Sequence, residues 1–175
     1  MAYTYSKIST VTVGSGGTLS INFIAIPQNY TDLLLLCSLR NTRASSGPGY
    51  ATMLINGKSN QFSRRRLYVN EDGTVGSNSG SDNDVMFSVA TDAQTANVFG
   101  NSQIYFPNYT SSNLKSFAIE ETSENNSATN INKSLLALLW SYTEPITSIE
   151  INSSHSSLSF KQYSTATLYG IKAEV

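Results

Sequence analysis

Side chains that could do acid–base or metal chemistry are few in this sequence, and they are not clustered. His155 is the only histidine, and it lies in a polar stretch of Asn and Ser residues. A zinc or iron site usually needs several His or Cys ligands, and a hydrolase triad needs a histidine base beside its serine nucleophile. A lone histidine therefore predicts neither a metal site nor a hydrolase within one subunit.

Acidic and thiol side chains point the same way. Glu120 and Glu121 are adjacent, so on a strand they take opposite faces; Glu144 or Glu150 could supply a distant partner for glycoside hydrolysis. Cys37 lies in an apolar run and is expected to be a small buried side chain rather than a reactive thiol. No phosphate-binding or dinucleotide-binding glycine motif follows a predicted strand. We expect no catalytic residues, cofactor or resident metal, and therefore no enzyme.

A basic run supplies the candidate partner-binding residues. Arg64, Arg65 and Arg66 lie in a stretch with the pattern of a strand, and Tyr68 follows two residues later. Alternation places Arg64 and Arg66 on one face and Arg65 on the other. The run is either a charged edge strand or a surface that docks on an acidic protein, because guanidinium groups bind carboxylates in a bidentate manner. If it docks, replacing Arg64 and Arg66 by Glu should prevent docking without unfolding the protein.

The elements that carry these residues are expected to be strands. Only 13% of the 175 residues are charged, and Ser, Thr and Asn are abundant; their side chains compete for backbone hydrogen bonds and disfavour helix interiors. Short segments with period-two alternation recur between clusters of Gly, Ser, Asn and Pro. The sequence therefore predicts an all-β fold in one domain, residues 1–175, with residues 1–17 as a candidate extended N-terminal arm. The expected architecture is an antiparallel, jelly-roll-like β-sandwich, and both a jelly roll and another Greek-key order fit the number of strands.

About ten strands are expected from this pattern, and two connections between them have distinct signals. Asn56-Gly57 predicts a two-residue hairpin with a type I′ turn. The polar segment from Asn70 to Asp84 is predicted to be the longest loop. A calcium ion held by its aspartates is the less favoured alternative, because their spacing matches no EF-hand. The predicted strands are Tyr3 to Val13, Leu19 to Phe23, Leu33 to Arg40, Ala51 to Ile55, Gln61 to Val69, Val85 to Val89, Ser102 to Phe106, Lys115 to Thr122, Leu135 to Trp140, Ile146 to Asn152 and Ala166 to Lys172.

Two apolar runs break the alternation, Leu33 to Leu36 and Leu135 to Trp140. A strand that is apolar on both faces must be covered on both sides, either by its own chain, which we favour, or by a neighbouring subunit. A short helix is the alternative for the second run, and Pro145 shortly after its end argues against it.

Charge and hydropathy exclude two classes of partner. The formal net charge of -1 lacks the basic excess with which proteins neutralise phosphates, so no nucleic-acid partner is expected. No segment approaches the roughly 20 apolar residues of a membrane span. We therefore expect neither nucleic acid nor membrane as a partner.

Four segments carry a resemblance to a known class of proteins: Ile26 to Leu34, Ile104 to Tyr109, Ala137 to Trp140 and Tyr163 to Lys172. The chain resembles small virion structural proteins of tailed phages, especially those of cyanobacteria and other aquatic hosts. The resemblance implies a stand-alone β-sandwich or jelly-roll module, found as a capsid decoration (cement) protein or in tails and fibres. It implies no catalytic residues.

Two functions follow as expectations from this resemblance. The favoured one is a capsid decoration protein, a homo-oligomer and most simply a trimer, which binds the major capsid protein on the outer surface of the virion. The alternative is a tail or fibre adhesin that binds host glycans, with the loop from Asn70 to Asp84 as its tip. The small size of the chain, without heptads or a collagen-like shaft to project it, favours decoration.

Overall fold

The computed structural model describes residues 3–45, 49–70, 72–82, 85–124, 131–154 and 157–173. Within these ranges the chain forms strands and no helix, which confirms the predicted all-β fold. None of these residues belongs to a helix with the length and hydropathy of a membrane span. The strands are β1 (Tyr3–Thr12), β2 (Ser20–Phe23), β3 (Asp32–Asn41), β4 (Gly49–Ile55), β5 (Phe62–Val69), β6 (Val75–Asp82), β7 (Val85–Thr91), β8 (Gly100–Phe106), β9 (Lys115–Glu124), β10 (Ile131–Trp140), β11 (Ile149–Ser153) and β12 (Thr165–Ala173).

The strands form a larger and a smaller sheet in a sandwich-like arrangement. The large sheet has the order β1-β12-β3-β8-β9-β10-β5-β6, and the small sheet has the order β2-β11-β4-β7. All neighbours within each sheet are antiparallel. At its end β3 also makes a short parallel pair with β7, where Arg40 lies opposite Ala90. This pair joins the two sheets.

One hydrophobic core fills the space between the sheets. The large sheet contributes alternate residues of its central strands, among them Leu33, Leu35 and Leu39 of β3, and the small sheet contributes Met53 and Phe87. The period-two alternation of the sequence selects this face, because successive side chains of a strand point to opposite sides. Both apolar runs lie in central strands of the large sheet.

The structure corrects the prediction for the polar segment from Asn70 to Asp84. Most of it forms β6, which pairs with β5 along its whole length and is an edge strand of the large sheet. Asp72 accepts a hydrogen bond from the Thr74 backbone N–H at 2.9 Å, which shapes the tight turn before β6. Asn83 and Asp84 lie outside the described residues. The predicted long loop is therefore a hairpin with a short connection.

The turn at Asn56-Gly57 has the predicted conformation but does not join a hairpin of two long strands. Both residues have positive φ, 52° and 72°, as a type I′ turn requires. The turn closes through reciprocal backbone hydrogen bonds between Ile55 and Lys58, and the pairing ends there. β4 lies in the small sheet and β5 in the large one, so the chain crosses between sheets after this turn.

Residues 3–12 are not a free arm. They form β1, which pairs antiparallel with β12 of the same chain from Tyr3 opposite Ala173 to Thr12 opposite Thr165. Likewise, Leu135 to Trp140 lies within β10, so the helix alternative is wrong. Within the candidate arm of residues 1–17, residues 3–12 are therefore a strand of the large sheet.

Candidate docking surface

The arginine run lies on β5, and its side chains alternate as the sequence predicts. Arg64 and Arg66 lie on the side of the large sheet that faces the core, and both are half-buried. Arg65 lies on the outer face and is exposed. Its guanidinium donates to the Arg64 carbonyl oxygen at 2.9 Å, and it makes no ion pair with the described part of the chain. Consecutive arginines thus have different environments.

Arg66 takes part in a buried polar cluster. Its Nε and Nη2 donate to the Ser134 Oγ at 2.9 and 2.6 Å, and its Nη2 lies 3.4 Å from Glu121 Oε1. Glu121 is only 2% exposed and also accepts from the Ser88 backbone N–H at 2.6 Å and the Ser88 hydroxyl at 2.9 Å. Because Ser88 belongs to β7, this carboxylate ties the small sheet to the large one.

Tyr68 follows Arg66 on the same side of β5 and is half-buried. The Arg66 guanidinium carbon lies 4.9 Å from the centre of its ring. The Tyr68 ring packs directly against the backbone of the edge strand β6 at Gly76. A Cβ atom added at Gly76 would lie only 2.5 Å from the Tyr68 Cζ, so the ring fills the space of a side chain there. Tyr68 and Arg66 therefore support the packing of β5 and β6, and both side chains are already engaged within the chain.

The opposite side of the same strands is an apolar surface. Leu67 of β5 and Leu135 of β10 are directly opposite each other, 59% and 50% exposed. The next residue pair on this face is Arg65 opposite Ala137, and Leu139 of β10 lies on the same side. We call Arg65, Leu67, Leu135, Ala137 and Leu139 the outer patch. Singly exposed leucines are common on protein surfaces, but adjacent ones form a continuous apolar area.

Arg65 separates two shallow depressions on this face. One, of about 600 Å³, lies beside Leu67, Leu135 and the Ser77 to Ser79 part of β6. The other, of about 290 Å³, lies beside Ser63 and Leu139. A cation flanked by two depressions with apolar walls can receive a carboxylate at its centre and apolar side chains on both sides.

The neighbouring acidic residue on this face is neutralised within the chain. Glu120 of β9 lies opposite Leu135 and pairs with Lys133 of β10. Glu120 and Glu121 lie on opposite faces of β9, as predicted, and so do not form a facing carboxylate pair. Among the described residues, Arg65 is therefore the charged side chain of the outer patch, and it has no carboxylate partner there.

The apolar runs are covered on one side. Leu33 and Leu35 are fully buried in the core, whereas Leu36 is 37% exposed on the outer face. Leu136 and Leu138 are buried, whereas Leu135 and Ala137 are exposed. The expectation of cover on both sides by the chain itself is therefore wrong for the described residues, and cover by another subunit stays a prediction.

The remaining candidates for chemistry do not form a site in the described part of the chain. Cys37 points into the core, and burial raises the pKa of its thiol to about 12. Among the described residues no group of three or more His, Cys, Asp and Glu side chains could hold a metal ion. His155, and Asp84 of the calcium hypothesis, lie outside the described residues.

The sequence named Arg64, Arg65, Arg66 and Tyr68 as partner-binding candidates, and the structure brings only Arg65 to the outer patch. Leu67 was not named, and the signal that could have found it is its place as the apolar residue between the arginines and the tyrosine on β5. Leu135 was named only within the apolar run from Leu135 to Trp140, for which cover by a neighbouring subunit was the alternative. Their contact depends on the pairing of β5 with β10, which local pattern does not give. A scan against models of known protein families finds none that matches this chain, and a comparison with curated proteins finds no significant match.

Proposed function

We propose that this chain is a structural protein of a bacteriophage virion, a capsid decoration protein that binds the outer surface of the major capsid protein as a homo-oligomer, most simply a trimer, and stabilises the head. The observation that carries the proposal is the outer patch, an exposed apolar surface around Arg65, which has no carboxylate partner in the described part of the chain. The resemblance of four segments to virion proteins of tailed phages supports the choice of partner.

The outer patch has the composition of a protein–protein contact. Energetic centres of such interfaces combine apolar area with Arg or aromatic side chains and lie on surfaces that need little reorganisation. Leu67, Leu135 and Ala137 supply apolar area on paired strands of a sheet, whose backbone is already ordered. Docking therefore costs little conformational entropy beyond that of the Arg65 side chain.

The charge of the patch selects an acidic partner. Arg65 is exposed and has no carboxylate partner among the described residues, whereas Glu120 beside it is paired with Lys133. An acidic residue of the coat surface would bind the guanidinium in a bidentate manner, and the flanking leucines would exclude water from that contact. Binding to the assembled lattice would stabilise the shell by mass action.

The test is cryo-electron microscopy of the phage particle that carries this chain, with the location and symmetry of its density as the readout. Repeated copies on the outer head lattice, with the outer patch against coat protein, would support the proposal. Density confined to the tail or its fibres would overturn it.

A binding assay with purified heads that lack the protein tests the contact itself. Arg65→Glu should reduce head occupancy at least about tenfold, because an acidic coat surface would repel it. Lys172→Glu is the matched control, since Lys172 is exposed on the other side of the large sheet, at the end of β12. Equal loss of binding in both variants, or none in Arg65→Glu, contradicts docking through the outer patch.

The tail or fibre adhesin stays the alternative, but its proposed tip has changed. Most of the segment from Asn70 to Asp84 forms the edge strand β6, which leaves a tight turn rather than a long sugar-reading loop. A glycan-binding role therefore needs another place on the molecule.

A further inference from the structure

A small cleft lies at the end of the large sheet, away from the outer patch. It has a volume of about 170 Å³ and opens between the connection from β7 to β8 and the turn before β12. Asp92 and Asn97 come from the first segment, and Gln162 and Tyr163 come from the second. These four side chains are exposed. A ligand in the cleft would therefore meet polar groups on two sides.

The base of the cleft is rigid. Arg40 is buried, with an exposed fraction of 4%. Its guanidinium donates to the carbonyl oxygens of Gln94, Thr95 and Val98 at 2.9, 2.8 and 2.9 Å. One guanidinium thus fixes three points of the connection that carries Asp92 and Asn97. Binding groups held in this way lose little entropy when a ligand binds.

Asp92 is an ionised acceptor at the rim. Lys161 Nζ donates to its Oδ1 at 2.5 Å, and Arg40 Nη2 lies 3.7 Å from the same oxygen. The hydrogen bond from Lys161 holds the pKa of the Asp92 carboxyl below its usual range. Arg40 and Lys161 outnumber this one carboxylate, but Arg40 is buried and bonded to three backbone carbonyls, and Lys161 is bound to Asp92. The Asp92 carboxylate is the exposed acceptor of the rim, and it suits a ligand that donates hydrogen bonds, as hydroxyl groups do.

Tyr163 lies at the rim of the cleft in a strained backbone conformation. Its φ is 71°, and a hydrogen bond from Ser164 N–H to the Lys161 carbonyl at 3.1 Å closes the turn around it. Glycine is preferred at such a position because a Cβ is strained there. The ring is nevertheless 66% exposed, so the strain is not compensated by burial. Strained backbone of this kind recurs at ligand-binding sites.

The polar groups around the ring are available. The side chains of Asn97, Gln162 and Tyr163 make no hydrogen bond with the described part of the chain. Asn97 also has positive φ, 66°, which an asparagine tolerates. The amides offer both donors and acceptors, and the Asp92 carboxylate offers acceptors only. This combination matches adjacent hydroxyl groups, each of which donates and accepts.

We propose that this cleft binds one neutral sugar ring of a glycan. The apolar C–H face of the sugar packs on the exposed face of Tyr163, while Asp92, Asn97 and Gln162 hydrogen-bond to its hydroxyl groups. The site goes beyond head decoration and is independent of docking through the outer patch, because the two surfaces share no residue.

The test is saturation-transfer difference NMR on the full chain with free glucose, galactose, mannose, rhamnose and N-acetylglucosamine. At least one sugar should receive saturation, and Tyr163→Gly should reduce the signal at least fivefold. Its melting temperature should be unchanged or higher, because glycine relieves the positive φ. Gln162→Ala should weaken the signal less.

Tyr5→Ala is the matched control, since Tyr5 is also an exposed tyrosine and lies near the start of β1. It should leave the transfer signal unchanged. No transfer from any of the five sugars, or equal transfer in the wild type and Tyr163→Gly, overturns the site. Either result leaves head docking untouched, because the assay uses the isolated chain.

Discussion

Arg65 and Arg66 are consecutive residues of β5, and the sheet puts one in solvent and the other in an ion pair with the buried Glu121. On the core side, Arg66, Ser134 and Glu121 satisfy one another and join the two sheets through Ser88. On the outer side, Arg65 and the leucines around it have no such partners in the described part of the chain. The difference teaches that the core-facing side of β5 and β10 maintains the fold, whereas the outer side is available for binding.

The largest expected difference is in stability, between substitutions at two neighbouring residues of β10. Leu138→Asp would place an unpaired carboxylate in the core and cost roughly 5 kcal/mol or more, enough to prevent folding. Ala137→Asp, on the exposed side, should change the free energy of unfolding by less than about 1 kcal/mol. The emission of the buried Trp140 in buffer shows whether Leu138→Asp folds at all, and urea unfolding followed by the same fluorescence measures Ala137→Asp against the wild type. Similar losses in the two variants would show that the outer patch also belongs to the core.

The next largest expected difference is in the reaction rate of a thiol at two neighbouring positions of β3. Cys37 is buried and burial raises its pKa to about 12, so its reaction with an aromatic disulfide reagent at pH 8 should require opening of the structure. A thiol in Leu36→Cys, made in a Cys37→Ala background, lies on the outer face. It should react at least roughly 1000-fold faster. Equal rates in urea are the control, and native rates within tenfold of each other would contradict the assignment of faces.

The smallest expected difference is in the free energy of unfolding after replacement of Arg66 or Arg65 by alanine. Arg66→Ala leaves Glu121 buried without its cation and should lower the free energy of unfolding by roughly 2–3 kcal/mol, less than for a fully buried pair because Arg66 is partly exposed. Arg65→Ala should change it by no more than about 0.5 kcal/mol. Urea unfolding curves of both variants decide this, and equal effects would remove the distinction between the two faces.

The structure also changes the expected effect of a double substitution that the sequence suggested. Replacement of Arg64 and Arg66 by Glu was expected to leave the isolated protein folded. Arg66→Glu would place a second carboxylate beside the buried Glu121, and like charges in that environment destabilise the fold. Arg65→Glu is therefore the substitution that separates docking from folding.

Much of the fold could be predicted because the local sequence pattern determines which segments are strands and which of their faces is buried. The alternation from Leu19 to Phe23 and in the other predicted strands marks the core face, and Asn56-Gly57 forms the expected turn. β6 was missed because Val75 is its only large apolar residue. That strand is held by backbone pairing with β5 and by the close approach of Tyr68 to Gly76, neither of which leaves an apolar period in the sequence.

The candidate sites depend on contacts that local pattern does not contain. Arg66 meets Glu121 only because β10 lies between β5 and β9. Leu67 and Leu135 meet through the same pairing, and Tyr163 reaches the cleft because its turn faces the connection from β7 to β8. The sequence identifies such residues by type, but strand order decides which of them meet.

The position of β3 has a consequence for how the protein is made. This strand pairs with β8 on one side and with β12 on the other, in register from Ser38 opposite Thr165 to Asp32 opposite Ile171. Both partners are synthesised later, and β12 emerges from the ribosome only after almost everything else described. Until then one edge of β3 is unpaired, and a pairing so distant in sequence closes slowly. Between the synthesis of β3 and that of β12, Leu33 to Leu36 therefore lie in a strand with an unpaired edge, and such an edge is a site at which nascent chains aggregate.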